Sequence, residues 1–442
     1  MSASAQKSII RGTLILTFAG ILSRFLGFYN RIFLTNLFGA RELGIYQMVF
    51  PVYMVIFSFC CQGIQTALTR QIARPDFNAS AGHCLLRHAV RLSFLLSVLC
   101  SLTMFFLAEP ISYQLLHSAE CVSCLKILTL AFPFVSVKGC LSGYFIGIQR
   151  SAETAWGQFI EQLAKIGSVY LLSVTVFSLA APKAYFAVWG IVAGELTSCC
   201  LLLFCYLHHY KQFLKSSSPD SDCASHPSRF YRRELLTDAI PLTINRLSLT
   251  GLQGLEAILI PHMLNLYLKN GDHALILYGT LTGMVLPCIM FPTTLTSSLA
   301  TMLLPAISSE HKKEHSHALS GIIRKSVSFC LIIGVLSSLF LLFLGKWSGQ
   351  FLFQSITAGE LLFQFALLCP FIYLSTCLAS IMNGLGLAGK NLLYSIISIA
   401  IRIACILMLV PQIGLTGYMW GMMLSYLLQT VLLLITIHRH TK

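Results

Sequence analysis

Residues 133–147 read PFVSVKGCLSGYFIG, and residues 370–384 read PFIYLSTCLASIMNG. The two stretches share Pro-Phe, Cys-Leu and a final Gly at the same positions, at an offset of 237 residues. Both are long apolar runs, which is typical of helices that cross a membrane. The sequence therefore indicates that one membrane-spanning segment occurs twice in the chain.

Three further matches extend this duplication in the same order along the chain. They are MVFP at 48–51 with MVLP at 284–287, Lys165-Ile166 with Arg402-Ile403, and Trp189-Gly190 with Trp420-Gly421. Agreement over four segments in order is poorly explained by chance. We therefore predict two halves of common ancestry.

Composition places the whole chain in a bilayer. Hydrophobic residues make up 56% of the 442 residues and charged residues only 10%, against about 25% charged residues in soluble domains. The formal net charge is +14, but the basic residues are scattered between apolar runs, which does not favour a nucleic-acid partner. We predict an all-α polytopic membrane protein in contact with membrane lipids.

Apolar runs of about 20 residues each predict about twelve transmembrane helices. The predicted spans are 13–38, 44–68, 88–108, 121–147, 156–181, 185–209, 236–266, 276–303, 323–345, 358–385, 391–412 and 414–437. Residues 1–210 form the predicted N-terminal six-helix lobe, 211–234 a cytoplasmic linker, and 235–442 the C-terminal six-helix lobe.

The loops on one side of the membrane are far more basic than those on the other. One set holds nineteen basic residues, namely Lys7, Arg11, Arg70, Arg74, Arg87, Arg91, Arg150, Lys211, Lys215, Arg229, Arg232, Arg233, Lys312, Lys313, Arg324, Lys325, Lys390, Arg439 and Lys442. The other set holds five, namely Arg31, Arg41, Lys183, Lys269 and Lys346. The positive-inside rule then places both termini in the cytoplasm of a plasma-membrane protein.

Six spans per half predict that a pseudo-two-fold axis along the membrane normal relates the two lobes. Such lobes leave a cleft between them, and rocking would expose it to each side in turn. Prolines interrupt the predicted helices at five points, namely Pro51, Pro133, Pro241, Pro287 and Pro370. They are interpreted either as hinges for that motion or as static kinks that shape the bundle.

Basic residues within the predicted spans are the main candidates for function. Each costs about 2.5–3.5 kcal/mol at mid-membrane, so such side chains are expected to face protein or a watery cavity. The cations are Arg24, Arg31, Lys138, Lys165, Arg246 and Arg402, and the acids are Glu161, Glu195 and Glu256. This cationic excess predicts a cavity that attracts anions.

Arg24 and Arg31 are seven residues apart, so they share one helix face. The seventh span repeats this spacing with Arg246 and Gln253. We predict that both helices flank the central cleft, where Arg24, Arg31 and Arg246 bind a phosphate or pyrophosphate. Asn30 and Gln253 are included in this predicted site. Alternatively, Arg24 and Arg31 reach the interface or pair internally, for example with Glu42.

Glu161 and Lys165 are four residues apart on one helix, which favours an intrahelical ion pair. Arg402 has no such partner nearby in sequence, so it either faces the substrate or is anchored to another helix. Glu195 and Glu256 are the candidate sites for a coupling cation, Na⁺ or H⁺.

Other patterns do not support an enzyme, a cofactor or a metal site. The stretch GLGLAGK at 384–390 resembles a nucleotide-binding loop, but an apolar span precedes it and Asn391 stands where Ser or Thr is needed. A hydrated loop explains His311, His315 and His317. The sixteen cysteines mostly lie within apolar runs, where cysteine acts as a small hydrophobic residue.

Residues 11–16 (RGTLIL), 23–31 (SRFLGFYNR), 38–40 (FGA) and 44–48 (GIYQM) resemble a known family. They are similar to the start of the stage V sporulation protein B-like polysaccharide-biosynthesis flippases of the multidrug/oligosaccharidyl-lipid/polysaccharide (MOP) superfamily. The resemblance implies alternating access through a cationic cavity and outward export of lipid-linked sugar, in several members a peptidoglycan precursor. Sporulation-type and lipid II flippases usually have fourteen spans, whereas about twelve are predicted here.

The sequence therefore favours a monomeric flippase for an anionic, lipid-linked oligosaccharide or peptidoglycan precursor. Two alternatives stay open: a cation-coupled drug or metabolite exporter like the MATE proteins, and a non-transporting scaffold for envelope synthesis.

Overall fold

The computed structural model describes residues 3–74, 79–176, 183–216, 228–294, 296 and 316–441. Helices account for nearly all of these residues, and no strand occurs among them. The α-helices are α1 (Ala3–Phe57), α2 (Gly63–Ile72), α3 (Ala79–Pro110), α4 (Cys121–Leu128), α5 (Ala131–Gly147), α6 (Ser151–Val176), α7 (Ala184–Ser216), α8 (Ser228–Leu268), α9 (Gly271–Gly279), α10 (Leu286–Met290), α11 (Ser316–Phe353), α12 (Ile356–Phe365), α13 (Cys369–Gly384), α14 (Ala388–Ile413) and α15 (Leu415–Thr441).

Shorter helical turns join several of these helices without a loop. Ser58–Gln62, Ile111–Leu115 and Thr280–Val285 are π-helical, and Ala366–Leu368 is a 3₁₀ turn. In a π-helical turn the backbone hydrogen bonds join residues five apart instead of four, and such turns are frequent at functional sites.

Eight helices in the described part of the chain are long and apolar enough to cross a membrane, or up to nine if the bent pair α4 and α5 forms one span. One of the eight, Gly20–Ile72, contains the first two predicted spans. Helices α6 and α8 carry more charged and polar residues and hold the fifth and seventh predicted spans. Each predicted span falls at least partly on a helix, so the prediction of about twelve membrane-spanning helices is confirmed.

Parts of three predictions lie outside the described residues. They are residues 177–181 of the fifth predicted span, the end of the eighth predicted span beyond residue 296, and residues 217–227 of the predicted linker. His311 and His315 also lie there, as do Lys312 and Lys313.

The chain divides into two compact units. Unit 1 comprises Met1–Asn30 and Met48–Gly251, and unit 2 comprises Arg31–Gln47 and Leu252–Lys442. These units describe packing, whereas the predicted lobes describe the duplication. They differ in two segments, because 31–47 packs with the second half of the chain and 235–251 packs with the first half.

Close backbone approach explains why segment 31–47 belongs to unit 2. A Cβ atom on Gly279 would lie 2.0 Å from the carbonyl oxygen of Ala40, and one on Gly44 would lie 2.5 Å from that of Leu275. Such contacts are possible only because glycine has no side chain, as is common where membrane helices pack tightly.

Each unit has its own apolar core. In unit 1, Leu68 and Leu85 are fully buried with Phe145, Leu202 and Leu235. In unit 2, the core lies between α11, α13 and α15. Its fully buried residues are Cys330, Cys377, Leu378, Ile381, Met382 and Leu433.

The predicted turn between the first two spans is a kink inside one helix. Gly39 has φ 77° and ψ 173°, a conformation outside the helical region that other residues rarely adopt.

The predicted hinge prolines lie at different places in their helices. Pro51 lies inside α1, Pro133 lies at the start of α5 next to a 44° bend, and Pro287 and Pro370 lie in the first turns of α10 and α13. Whether they act as hinges stays a prediction.

Candidate functional site

Arg31 is the most distinctive of the predicted site residues. It lies on α1 in unit 2, where its Nη1 donates a hydrogen bond to the carbonyl oxygen of Thr282 at 3.2 Å. Thr282 belongs to the π-helical turn Thr280–Val285. The side chain is partly buried, and no carboxylate among the described residues forms an ion pair with it.

The other predicted residues on α1 and α8 are more accessible. Arg24, Arg246 and Gln253 are exposed, and Asn30 is partly buried with its Oδ1 atom enclosed and lacking a hydrogen-bond partner. Arg24, Asn30 and Arg246 belong to unit 1, whereas Gln253 belongs to unit 2. That these residues and Arg31 line one cavity stays a prediction.

Unit 1 contains a buried network of two lysines and two glutamates, which we call the unit 1 quartet. Lys138 Nζ contacts Glu195 Oε2 and lies 3.0 Å from Glu161 Oε2. Lys165 Nζ lies 2.6 Å from Glu161 Oε1 and 3.8 Å from Glu195 Oε1. Tyr53 donates a hydrogen bond from its hydroxyl to Glu195 Oε1 at 3.1 Å. The formal charges of the quartet cancel.

The packing of α6 on α7 brings the quartet together. A Cβ atom on Gly194 would lie 2.6 Å from Lys165 Cγ and 2.9 Å from the carbonyl oxygen of Glu161. The small residue therefore lets α7 approach α6 closely enough for Glu195, the next residue, to reach both lysines.

Unit 2 contains a smaller cluster at a related position of the duplication. Arg402 Nε lies 2.7 Å from Glu256 Oε1, and the Tyr418 hydroxyl donates a hydrogen bond to the same oxygen at 2.9 Å. The Arg402 guanidinium carbon also lies 5.4 Å from the centre of the Tyr426 ring, within cation–π range. Both side chains of the ion pair are 8% exposed.

These clusters change the interpretation of the cations in the spans. The predicted intrahelical pair of Glu161 with Lys165 is confirmed. Of the two alternatives for Arg402, the structure has it anchored to another helix through Glu256. Lys138, Lys165 and Arg402 are each paired with glutamate, so the cationic excess is smaller than the sequence indicated. Glu42, a suggested partner for Arg24 or Arg31, pairs with Arg41 at 3.2 Å.

Sequence reasoning missed the two tyrosines and the bridging role of Lys138. Tyr53 and Tyr418 lie on helices far in sequence from the glutamates that they contact, so no local spacing connects them. The available signal was that Glu161 and Glu195 lie in the same group of spans, the fourth to the sixth, as Lys138 and Lys165. Among the described residues, no group of three or more His, Cys, Asp or Glu side chains is arranged to hold a metal ion.

The fold is that of membrane transporters of the MOP superfamily. An inward closed structure of the lipid II flippase MurJ matches with a TM-score of 0.74 at 13% sequence identity, covering 96% of this chain and 87% of that one. An inward-facing multidrug resistance MATE family transporter matches with a TM-score of 0.69 at 13% identity, covering 97% and 98%.

The sequence identifies the family. The chain belongs to the polysaccharide biosynthesis protein family, whose pattern matches residues 9–311. It is 24% identical over 436 residues to stage V sporulation protein B of Bacillus subtilis (strain 168), covering 97% of this chain and 83% of that protein. The predicted resemblance to this family is confirmed, and the chain is a multi-pass membrane protein that shares its fold with transporters of the MOP superfamily.

Proposed function

We propose that this protein moves an anionic lipid-linked oligosaccharide or peptidoglycan precursor outward across the plasma membrane by alternating access. Family membership supports this proposal, as does the similarity to stage V sporulation protein B and to a lipid II flippase. The solved relatives of this fold include inward-facing and outward-facing forms, which supports alternating access.

Arg31 is the observation that carries the proposal. A guanidinium group inside a membrane span is costly, and the other partly or fully buried cations of the unit 1 quartet and of the Arg402 cluster are paired with glutamate. Arg31 instead donates a hydrogen bond to the carbonyl oxygen of Thr282, which orients its guanidinium group without neutralising the charge. An oriented, uncompensated guanidinium suits a phosphate or pyrophosphate, which it binds through two parallel hydrogen bonds.

The remaining predicted residues have supporting roles in this proposal. Arg24, Arg246 and Gln253 are exposed enough to meet a ligand, and the enclosed side-chain oxygen of Asn30 lacks a hydrogen-bond partner. Arg402, held by Glu256, acts on the substrate only if that pair opens. The protein works as a monomer with both termini in the cytoplasm, and transport rather than catalysis is its activity.

Flipping of a fluorescent undecaprenyl-pyrophosphate-linked muropeptide in proteoliposomes tests the proposal. The fraction that a membrane-impermeant quencher reaches over time gives the rate. Losing a charge-assisted hydrogen bond costs about 1.5–3 kcal/mol, so Arg31→Ala should slow flipping about tenfold or more. Arg31→Lys should be intermediate, because an ammonium keeps the charge but lacks the planar fork.

Arg324→Ala is the matched control, because Arg324 is exposed at the start of α11. Its rate should equal that of the unmodified protein. Wild-type flipping by Arg31→Ala would remove the residue from the mechanism and, with it, the main support for an anionic substrate.

A cation-coupled exporter is the second candidate, supported by the buried carboxylates of Glu195 and Glu256. Each of these carboxylates already contacts a basic side chain, Lys138 for Glu195 and Arg402 for Glu256, which leaves little room for a free metal ion. Protons are therefore the better coupling species. Drug efflux from vesicles under an imposed pH or sodium gradient tests this. Efflux that persists in stable Glu195→Gln and Glu256→Gln variants would contradict it.

A further inference from the structure

Two segments of unit 1 lie side by side in opposite directions and form a seam. One is 58–74, from the π-helical turn through α2, and the other is 234–250, the first part of α8. Ser58 Oγ lies 3.1 Å from Thr250 Oγ1 at one end of the seam. At the other end, Arg74 Nη1 lies 2.5 Å from Glu234 Oε1.

The middle of the seam is closely packed. A Cβ atom on Gly63 would lie 1.9 Å from Thr243 Oγ1 and 2.9 Å from the carbonyl oxygen of Ala239. Leu68 and Leu235 are buried in the same apolar cluster as Ala239. The two helices therefore touch along their length, and any side chain larger than glycine at position 63 would force them apart.

Charged groups close the exposed end of the seam. Arg74 reaches two acids, Glu234 at 2.5 Å and Asp238 at 3.6 Å from its Nη2 atom. Gln71 Nε2 donates a hydrogen bond to Asp238 Oδ2 at 2.9 Å. Arg74 is 52% exposed, and the two acids are about one third exposed. Exposed ion pairs are individually weak, so this end can open without the cost of separating buried charges.

The two segments come from different halves of the duplicated sequence. Residues 58–74 belong to the first half and 235–250 to the second, with Glu234 at the end of the predicted linker, and Arg74 lies in the set of basic loops that predicts the cytoplasmic side. In alternating access, rocking one half against the other has to part these helices on the side that opens.

We infer that the seam is the cytoplasmic gate of the transporter, and that Arg74, Glu234, Asp238 and Gln71 form an ion-pair latch that holds it shut. This inference rests on the proposed alternating access. The buried contacts at Gly63 set how closely the gate shuts, and the exposed charges set how readily it opens.

Hydrogen–deuterium exchange of the full-length protein in lipid nanodiscs tests the latch without any substrate. Arg74→Glu replaces attraction by repulsion and should accelerate amide exchange several-fold in both 58–74 and 234–250. Arg70→Glu is the matched control, with the same charge change one turn earlier on α2 at an exposed position. It should leave the exchange of both segments unchanged.

A charge swap separates the latch from a general loss of folding. Arg74→Glu combined with Glu234→Arg and Asp238→Asn restores one opposite-charge pair and should return exchange close to that of the unmodified protein. Gln71→Leu should give a smaller acceleration in the same two segments. The latch is excluded if Arg74→Glu exchanges like the unmodified protein, or if only 71–74 accelerates, which would be fraying of one helix end.

The flipping assay distinguishes failure of the latch from failure of the proposed function. If exchange responds as expected but no lipid-linked pyrophosphate is flipped by any variant, the gate stands and the substrate assignment falls. If the unmodified protein flips the probe and Arg74→Glu leaves both exchange and flipping unchanged, the gate falls and the function stands.

Discussion

Arg402 Nε lies 2.7 Å from Glu256 Oε1, and the sequence duplication places Arg402 where Lys165 stands in the first half. Lys165 meets Glu161 on its own helix, whereas Arg402 meets a glutamate on α8. The two halves thus keep a cation–carboxylate pair at related positions but take the carboxylate from different helices.

Removing the carboxylate from the unit 2 pair should destabilise the protein strongly. Glu256→Gln leaves the buried Arg402 guanidinium without its counter-charge, at a cost of about 3–5 kcal/mol. Glu256→Gln combined with Arg402→Met should be milder than Glu256→Gln alone. Thermal unfolding in detergent measures both. Asp272→Asn, which breaks the exposed contact with Arg41, is the control and should cost less than about 1 kcal/mol.

The unit 1 quartet should respond to charge balance rather than to the loss of any one contact. Lys138→Met leaves a net negative charge among buried groups and should cost about 3–5 kcal/mol. Adding Glu195→Gln restores neutrality, so the double variant should lose less stability than the sum of the two single variants.

Unfolding midpoints of the unmodified protein, the two single variants and the double variant give the coupling energy between Lys138 and Glu195. Lys126→Met, which breaks an exposed pair with Glu109, should change stability by less than about 1 kcal/mol. Additive losses for Lys138 and Glu195 would show that the quartet is not a coupled unit.

The kink in α1 should depend on glycine. Gly39→Ala places a side chain at φ 77° and ψ 173°, which costs about 1–3 kcal/mol. Gly20→Ala is the matched control, because Gly20 lies within the same helix and a Cβ atom there would meet nothing within 4 Å. Thermal unfolding should show a loss only for Gly39→Ala, and equal midpoints would mean that the kink is not retained in the membrane.

The exposed arginines should affect transport without affecting stability. Arg24→Ala and Arg246→Ala remove exposed side chains, so their unfolding midpoints should match that of the unmodified protein. If Arg24 and Arg246 bind phosphate, each substitution should slow flipping about tenfold. Normal flipping by both variants would confine substrate binding to Arg31 and its surroundings.

The spans were predictable because each is a long apolar run, and apolarity is a local property of the sequence. The Glu161–Lys165 pair was predictable for the same reason, since the helix repeat fixes which residues four apart meet. The contacts of Arg402 and Lys138 depend on how helices distant in sequence pack, which no local pattern reports. The acceptor for Arg31 is a backbone carbonyl 251 positions away in the sequence, which no local pattern identifies either.

The division into packing units was likewise not visible in the sequence. The duplication predicted a boundary between 210 and 235. In the structure, close contacts at glycines accompany the packing of 31–47 in unit 2 and of 235–251 in unit 1. A repeated sequence reports ancestry, while packing also depends on which helices came to lie side by side.

The chain crosses between the two packing units three times, after Asn30, after Gln47 and after Gly251. Cutting the polypeptide between its two ancestral halves therefore does not release two self-sufficient bodies. Each piece would expose a surface whose natural cover resides on the other, as 31–47 would without α9. A gene split at this point should yield stable protein only when both products are made together in the same membrane, and an ancestor with two separate chains would have faced the same requirement.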